Sequence, residues 1–169
     1  MGVINDILDF SKIEAGKLEI ELEDFNLDEM LQRVLAAIQQ KAAENGSVLQ
    51  LYTDPRLSAS YQGDSLRISQ ILLNLLNNAV KFTPAGSVTL EVKLISSEPM
   101  SSHISFVVRD TGIGMNQAQL DSVFKAFTQA DESTSRKFGG TGLGLSIVSQ
   151  LVELMSGKIE ATSTLNEGS

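Results

Sequence analysis

Apolar residues recur along this chain in two periods, and the switches between them mark out its elements. Ile4, Ile7, Leu8 and Ile13 fall at roughly helical spacing over residues 3–15, and Gly16 is a natural helix stop. Leu18, Ile20 and Leu22 alternate with charged residues, as a short strand or an extended linker does. Asn26 and Glu29 make a capping box, and Leu27, Leu31, Val34, Leu35 and Ile38 give the next helix one apolar stripe before Asn45-Gly46 ends it. Residues 48–53 read as a strand, Asp54-Pro55-Arg56 as a turn, and Asp64 as the N-cap of a helix over 65–82. After the turn chemistry of Thr83-Pro84-Ala85-Gly86, Val88, Leu90, Val92 and Leu94 alternate as a half-buried strand. A loop over 96–102 separates them from Ile104, Phe106 and Val108, a hairpin partner ending at Asp110. A short helix over 116–124 follows; residues 128–139 have no apolar period and read as a mobile loop that could act as a lid. A helix over 141–155, a stop at Gly157 and a strand over 158–164 complete the pattern, without repeats or low-complexity segments.

Composition narrows the function classes. The 169 residues suit one domain with a flanking element, long enough to bury a real core. A net charge of −8, with 13 scattered basic residues, argues against nucleic-acid binding but leaves room for a nucleotide as a small ligand. With no cysteine, thiolate zinc sites, disulfides and thiol nucleophiles are excluded. No apolar run approaches the roughly 20 residues that span a bilayer and no signal peptide is present, so soluble material is expected. The helical opening and the close just after a strand pattern read as a piece of a longer protein.

Three clusters carry candidate chemistry. Phe138-Gly139-Gly140-Thr141-Gly142-Leu143-Gly144-Leu145 runs straight into the helical pattern Ile147, Val148, Leu151, Val152. Glycines let backbone N–H groups approach an anion, and a helix N-terminus adds unpaired donors and a positive dipole end; such runs also serve as plain caps and hinges. On the helix over 65–82, with Asn74 set at zero, Asn78 falls near about 40° and Lys81 near about −20°, so the three share a stripe. That stripe is either a solvated face or a set of neutral oxygen ligands for Mg²⁺ beside triphosphate oxygens, with Lys81 neutralising phosphate; two asparagines at i and i+4 cost helix propensity, which solvation alone would not require. Asp110, before Gly112 and Gly114, is either a turn-initiating cap or a carboxylate accepting a hydrogen bond from an exocyclic amine, with the glycines letting a base lie against the backbone. Phe124 and Phe127 are open to either core contact or ligand stacking, and His103 has no assigned role.

Taken together, Asn74-Leu75-Leu76-Asn77-Asn78-Ala79-Val80-Lys81-Phe82-Thr83, Asp110-Thr111-Gly112-Ile113-Gly114, Phe124-Lys125-Ala126-Phe127 and Gly140-Thr141-Gly142-Leu143-Gly144-Leu145 resemble the asparagine, first glycine, phenylalanine and second glycine boxes of sensor histidine kinases, in that family's order. The opening Ile4-Asn5-Asp6-Ile7-Leu8-Asp9-Phe10-Ser11-Lys12-Ile13-Glu14-Ala15-Gly16-Lys17-Leu18 resembles the end of the second dimerisation helix, particularly in hybrid members. The resemblance implies an α/β fold, a two-layer sandwich of a mixed sheet against three helices. It implies the end of a dimerisation helix over 1–16, a linker over 17–25 and an ATP-binding catalytic domain over 26–169. It makes Asn78 the Mg²⁺ ligand, Asn74 and Lys81 its phosphate-side neighbours, and Asp110 the partner of the adenine amine. Phe82 lies along the base, Arg136 reaches the terminal phosphate, and Gly140, Gly142, Leu143 and Gly144 give backbone contacts to phosphates. The implied partners are ATP or ADP, a histidine-bearing dimerisation domain of the same protein as a homodimer, and a response-regulator receiver domain; the implied location is cytoplasmic, on a membrane-bound sensor.

Two departures qualify the likeness. Nothing resembles the family's phosphoacceptor motif H-E-x-R-x-P, so no catalytic acceptor lies in this chain, and the usual closing strand G-S-x-F-x-F-x-L-P is represented only by Gly168-Ser169, which leaves the sheet short of an edge strand. Competing readings are an ATP-hydrolysing clamp of the same fold and a regulatory pseudokinase. In the clamp ATPases a Glu stands four residues before the metal-binding Asn to activate water, where this chain has Asn74, and an Asp commonly stands three after it, where this chain has Lys81.

Overall fold

The computed structural model describes residues 3–99, 101–126 and 142–169. Its elements in order are α1 (Val3–Glu14), β1 (Glu23–Asn26), α2 (Leu27–Glu44), β2 (Val48–Thr53), β3 (Ser60–Gly63), α3 (Ser65–Lys81), β4 (Ser87–Glu98), β5 (Ser101–Asp110), α4 (Gln117–Leu120) and α5 (Gly144–Leu154).

Caps set the two long helices. Asn26 accepts from the Glu29 N–H at 3.0 Å to open α2, and Asp64 accepts from the Arg67 N–H at 2.9 Å to open α3. Asn45 closes α2 and Gly46 follows at a φ of +70°, a left-handed turn that glycine makes without strain. The main sheet has the order β2-β4-β5, with β2 parallel and β5 antiparallel to the central β4. The parallel pair is joined through α3, as a parallel pair requires a crossover. Val88, Leu90 and Val92 of the central strand are fully buried and pack with Leu31, Val34 and Ile38 of α2 and Leu72, Leu76 and Val80 of α3. These stripes form the core. A second cluster joins Ile147 and Leu151 of α5, and Leu143 just before it, to Leu18, with Phe10 and Ile13 of α1 against it. The mixed sheet and its helices thus form the expected α/β architecture, with α5 seated on α3 and α1.

Four expectations change in detail. The linker over 17–25 is fixed to the domain: Leu18 is buried, the Glu21 N–H donates to Asp64 Oδ2 at 3.1 Å, and Glu23–Asn26 pairs antiparallel with β3, a strand the sequence pattern did not reveal. The loop over 96–102 is mostly ladder, since β4 and β5 pair out to Glu98↔Ser101 past an irregularity at residue 95, which also places His103 within β5. The helix expected over 116–124 has only one regular turn, Gln117–Leu120. Residues 158–164 form no ladder strand; only a bridge between Thr164 and Gly168 forms there. The outer edge of β5 is met instead by Ser169, whose N–H and C=O exchange bonds of 3.3 and 2.9 Å with Asp110, so residues 158–162 stand off from the sheet without the neighbour a strand needs.

Candidate functional site

The site forms where α3, the end of β5 and the start of α5 converge. The register Val88↔Asp110 puts Asp110 at the last rung of β5, beside the C-terminal end of α3. Asn74, Asn78, Lys81, Phe82, Asp110, Gly114, Gly142 and Gly144 line one continuous cavity of about 2190 Å³. That exceeds the roughly 300–1,000 Å³ of a small-molecule pocket because the space runs on between β5 and residues 158–162. The predicted α3 stripe therefore faces the cleft.

Among the described residues the side-chain amides of Asn74 and Asn78 make no hydrogen bond, so their oxygens remain available to a ligand. The neighbouring Asn77 is committed elsewhere: it donates to the Leu73 carbonyl at 2.8 Å and accepts from Lys41 Nζ at 2.9 Å. Lys81 lies 4.8 Å over the Phe82 ring, a cation–π contact. Burial, and then the like charge of Lys41, push the Lys81 pKa below its ordinary 10.5. An anion beside Lys81 would favour its charged form and so oppose this shift.

Asp110 is held asymmetrically. The Gly112 N–H donates to Oδ1 at 2.8 Å and the Thr83 hydroxyl approaches the same oxygen at 3.3 Å, while Oδ2 has no partner among the described residues. The glycines of this box are explained by protein contacts. A Cβ on Gly112 would collide with the Phe82 carbonyl, and one on Gly114, whose φ is +61°, with the Thr164 carbonyl. Gly112 is buried away from the cavity, so its role is close packing of the loop on α3 rather than an open floor for a base.

At the other end of the cleft, α5 begins at Gly144 with no side chain capping its N-terminus, and Gly142 takes a φ of +70°. Unpaired N–H groups at a helix start suit an anion. The Leu143 side chain is buried in the cluster around α5 and anchors this turn. Arg136, Gly140, Phe127 and the lid reading of residues 128–139 lie outside the described residues; Phe124 lines the cavity. The described residues hold no group of three or more His, Asp or Glu able to bind a metal by themselves. An Mg²⁺ ion that keeps waters and phosphate oxygens needs only one or two protein oxygens, which the unpartnered Asn78 amide supplies. Sequence reasoning missed Thr83, whose acidic partner lies 27 residues away and leaves no local signal.

The family described as histidine kinase-, DNA gyrase B-, and HSP90-like ATPase matches residues 63–169. Hybrid signal transduction histidine kinase B of Dictyostelium discoideum is 43% identical over 169 residues, all of this chain and 9% of that protein. Sensor histidine kinase GacS of Pseudomonas protegens is 45% identical over 171 aligned positions, all of this chain and 18% of that protein. The chain thus spans between about a tenth and a fifth of these relatives. The crystal structure of full-length ShkA in complex with AMPPNP superposes with a TM-score of 0.83 at 33% identity, covering 98% of this chain and 33% of ShkA. The chain belongs to the histidine kinase-, DNA gyrase B- and HSP90-like ATPase family, as an ATP-binding catalytic domain of the sensor histidine kinase type.

Proposed function

We propose that this domain holds ATP with Mg²⁺ in the cleft and donates the γ-phosphate to a histidine on a dimerisation domain outside this sequence. The observation that carries the reading is Asp110, whose Oδ1 is occupied by protein donors and whose Oδ2 is left as an acceptor at the cleft. A carboxylate acceptor matches the amino group of adenine and not the carbonyl of guanine. Phe82 would lie along the base. Asn74 and Lys81 would face the phosphates, with the backbone at Gly142, Leu143 and Gly144 and the N-terminus of α5; Arg136 and Gly140 complete the phosphate contacts in this reading. The Asn78 amide oxygen would hold Mg²⁺, which when bound neutralises charge on the transferring phosphate.

Positioning supplies most of the catalysis in phosphoryl transfer, so a domain with no general base can serve it. An amide at Asn74 cannot take a proton from water, which favours transfer to an acceptor over the hydrolysing clamp. In this reading α1 ends a dimerisation helix and the whole protein works as a homodimer that passes the phosphoryl group to a response-regulator receiver domain. Relatives named as hybrid and sensor kinases support that assignment; the same reading puts the domain on the cytoplasmic side of a membrane-bound sensor. No helix among the described residues is long and apolar enough to cross a membrane.

Thermal unfolding with Mg²⁺ and ATP or GTP tests the site. ATP at 100 times its dissociation constant should add about 2.7 kcal/mol of stability. GTP should add clearly less, and Asp110→Ala should cut the ATP shift to that of GTP. Equal shifts with ATP and GTP would remove the adenine role of Asp110.

A further inference from the structure

Thr83 is the first residue beyond the Phe82 cap of α3 and is fully buried, which is unusual for a hydroxyl without a reason. Its two γ atoms are wedged separately. A Cβ on Gly86 would stand 2.6 Å from Thr83 Cγ2, and a Cβ on Gly112 would stand 2.6 Å from Thr83 Oγ1. Glycine on either flank makes the space this side chain fills, with the methyl against one and the hydroxyl against the other. The backbone is held from elsewhere. The Thr83 carbonyl accepts from Ser47 Oγ and from Asn45 Nδ2 at 3.3 Å, and Asn45 Nδ2 also donates to the Val80 carbonyl at 2.6 Å. The end of α2 thereby clamps the end of α3, and the hydroxyl is left directed at Asp110 Oδ1, 3.3 Å away.

The terminal torsion of an aspartate is broad and two-fold, so its two oxygens exchange roles unless donors distinguish them. Here the Gly112 N–H and the Thr83 hydroxyl converge on one oxygen. We propose that Thr83 is a specificity-determining positioning residue: its hydroxyl pins Asp110 Oδ1, presents Oδ2 to the ligand as an acceptor only, and so sets the preference for a purine bearing an exocyclic amine over one bearing a carbonyl at that edge. This rests on Asp110 as the adenine acceptor.

Calorimetric titration of the whole chain with ATP and with GTP, in Mg²⁺, tests it in four variants. Thr83→Val and Thr83→Ala remove the hydroxyl and should lower the ATP-to-GTP affinity ratio by about fivefold or more, whereas Thr83→Ser keeps it and should hold the ratio within about twofold. GTP affinity should stay near that of the parent in all three, an outcome that general damage to the fold would not give. If Thr83→Val does not fold, the Ala and Ser variants decide. Asp110→Ala should remove the preference altogether. Loss of preference in Asp110→Ala with an unchanged ratio in Thr83→Val and Thr83→Ala would overturn the role of Thr83 and leave the site standing. A loss in Thr83→Ser equal to that in Thr83→Ala would overturn it too. An unchanged ratio in Asp110→Ala would remove the acceptor itself and this inference with it.

Discussion

Asn74 Oδ1 lies 3.2 Å from the point where a Cβ on Gly144 would stand, so the asparagine stripe of α3 and the first residue of α5 meet closely enough that a methyl group there would press on the amide. The contact joins two segments 70 positions apart in sequence, both of which line the cleft. It makes Gly144 a residue of the site as well as the start of a helix.

Gly144→Ala separates those roles. Alanine is the better helix former by about 1 kcal/mol, so the fold should be unharmed or slightly stabilised. Nucleotide affinity should fall by about tenfold, because the methyl presses on the Asn74 amide, which in the proposed function faces the phosphates. Melting without ligand and titration with ATP measure the two effects; a fall in both would assign Gly144 to packing alone.

Asn78→Ala should weaken ATP binding chiefly where Mg²⁺ is present. A ligand oxygen lost from the metal shell is worth about a hydrogen bond to a charged group or more, so an affinity loss of about tenfold is expected with Mg²⁺ and little change with EDTA. An equal loss in both buffers would take Asn78 out of the metal shell.

Lys81 predicts a pH dependence with a definite sign. Burial first, and Lys41 second, lower its pKa in the folded state below 10.5. Between that lowered value and 10.5 the unfolded chain binds the extra proton, so stability of the free domain rises with pH across this window. A bound triphosphate favours the charged form, so ATP affinity should fall as pH rises through the folded pKa. Lys81→Arg stays charged throughout this range and should flatten that limb. Affinity profiles from pH 7 upward that coincide for the two proteins would contradict a phosphate role for Lys81.

The seat of α1 on the domain depends on a polar latch. Gln70 is buried, and its Nε2 donates to Asp9 Oδ2 at 2.7 Å, with Arg67 Nη1 donating to Gln70 Oε1 at 2.9 Å and lying 3.8 Å from Asp9. Asp9→Ala leaves a buried amide donor unpaired at a cost of about 1–3 kcal/mol. Faster amide exchange over Val3–Glu14, with α2 and α3 still protected, is the expected result; unchanged exchange in α1 would place its anchorage wholly in Phe10 and Ile13.

Much of this arrangement was legible because local chemistry dictated it. The caps at Asn26 and Asp64, and the Asn45-Gly46 stop, fix α2 and α3 close to their expected limits. The angular alignment of Asn74, Asn78 and Lys81 follows from helix geometry alone, and all three line the cleft. β3 was not legible because Ser60–Gly63 is four residues with Tyr61 as its one large side chain, so it has no alternation to read. The hairpin extends through Ser96, Ser97, Ser101 and Ser102, polar residues whose pairing is set by their partners and not by burial. Residues 158–164 have the alternation of a strand but no adjacent ladder, which is a tertiary condition that periodicity cannot express. Thr83 depends on two glycines and an aspartate distant in sequence, and only the folded chain brings them together.

The proposed function gives this chain the nucleotide half of a phosphotransfer reaction and places the acceptor histidine on a separate dimerisation domain. Incubation with Mg²⁺ and ATP labelled at the γ-phosphate tests it most directly, first with the chain alone and then with a histidine-bearing dimerisation domain of the family supplied. The chain alone should remain unlabelled, and the added domain should take up label that acid releases, as a phosphohistidine does. Stoichiometric labelling of the chain itself would contradict the account and would direct the search for an acceptor to His103, the one histidine in the sequence.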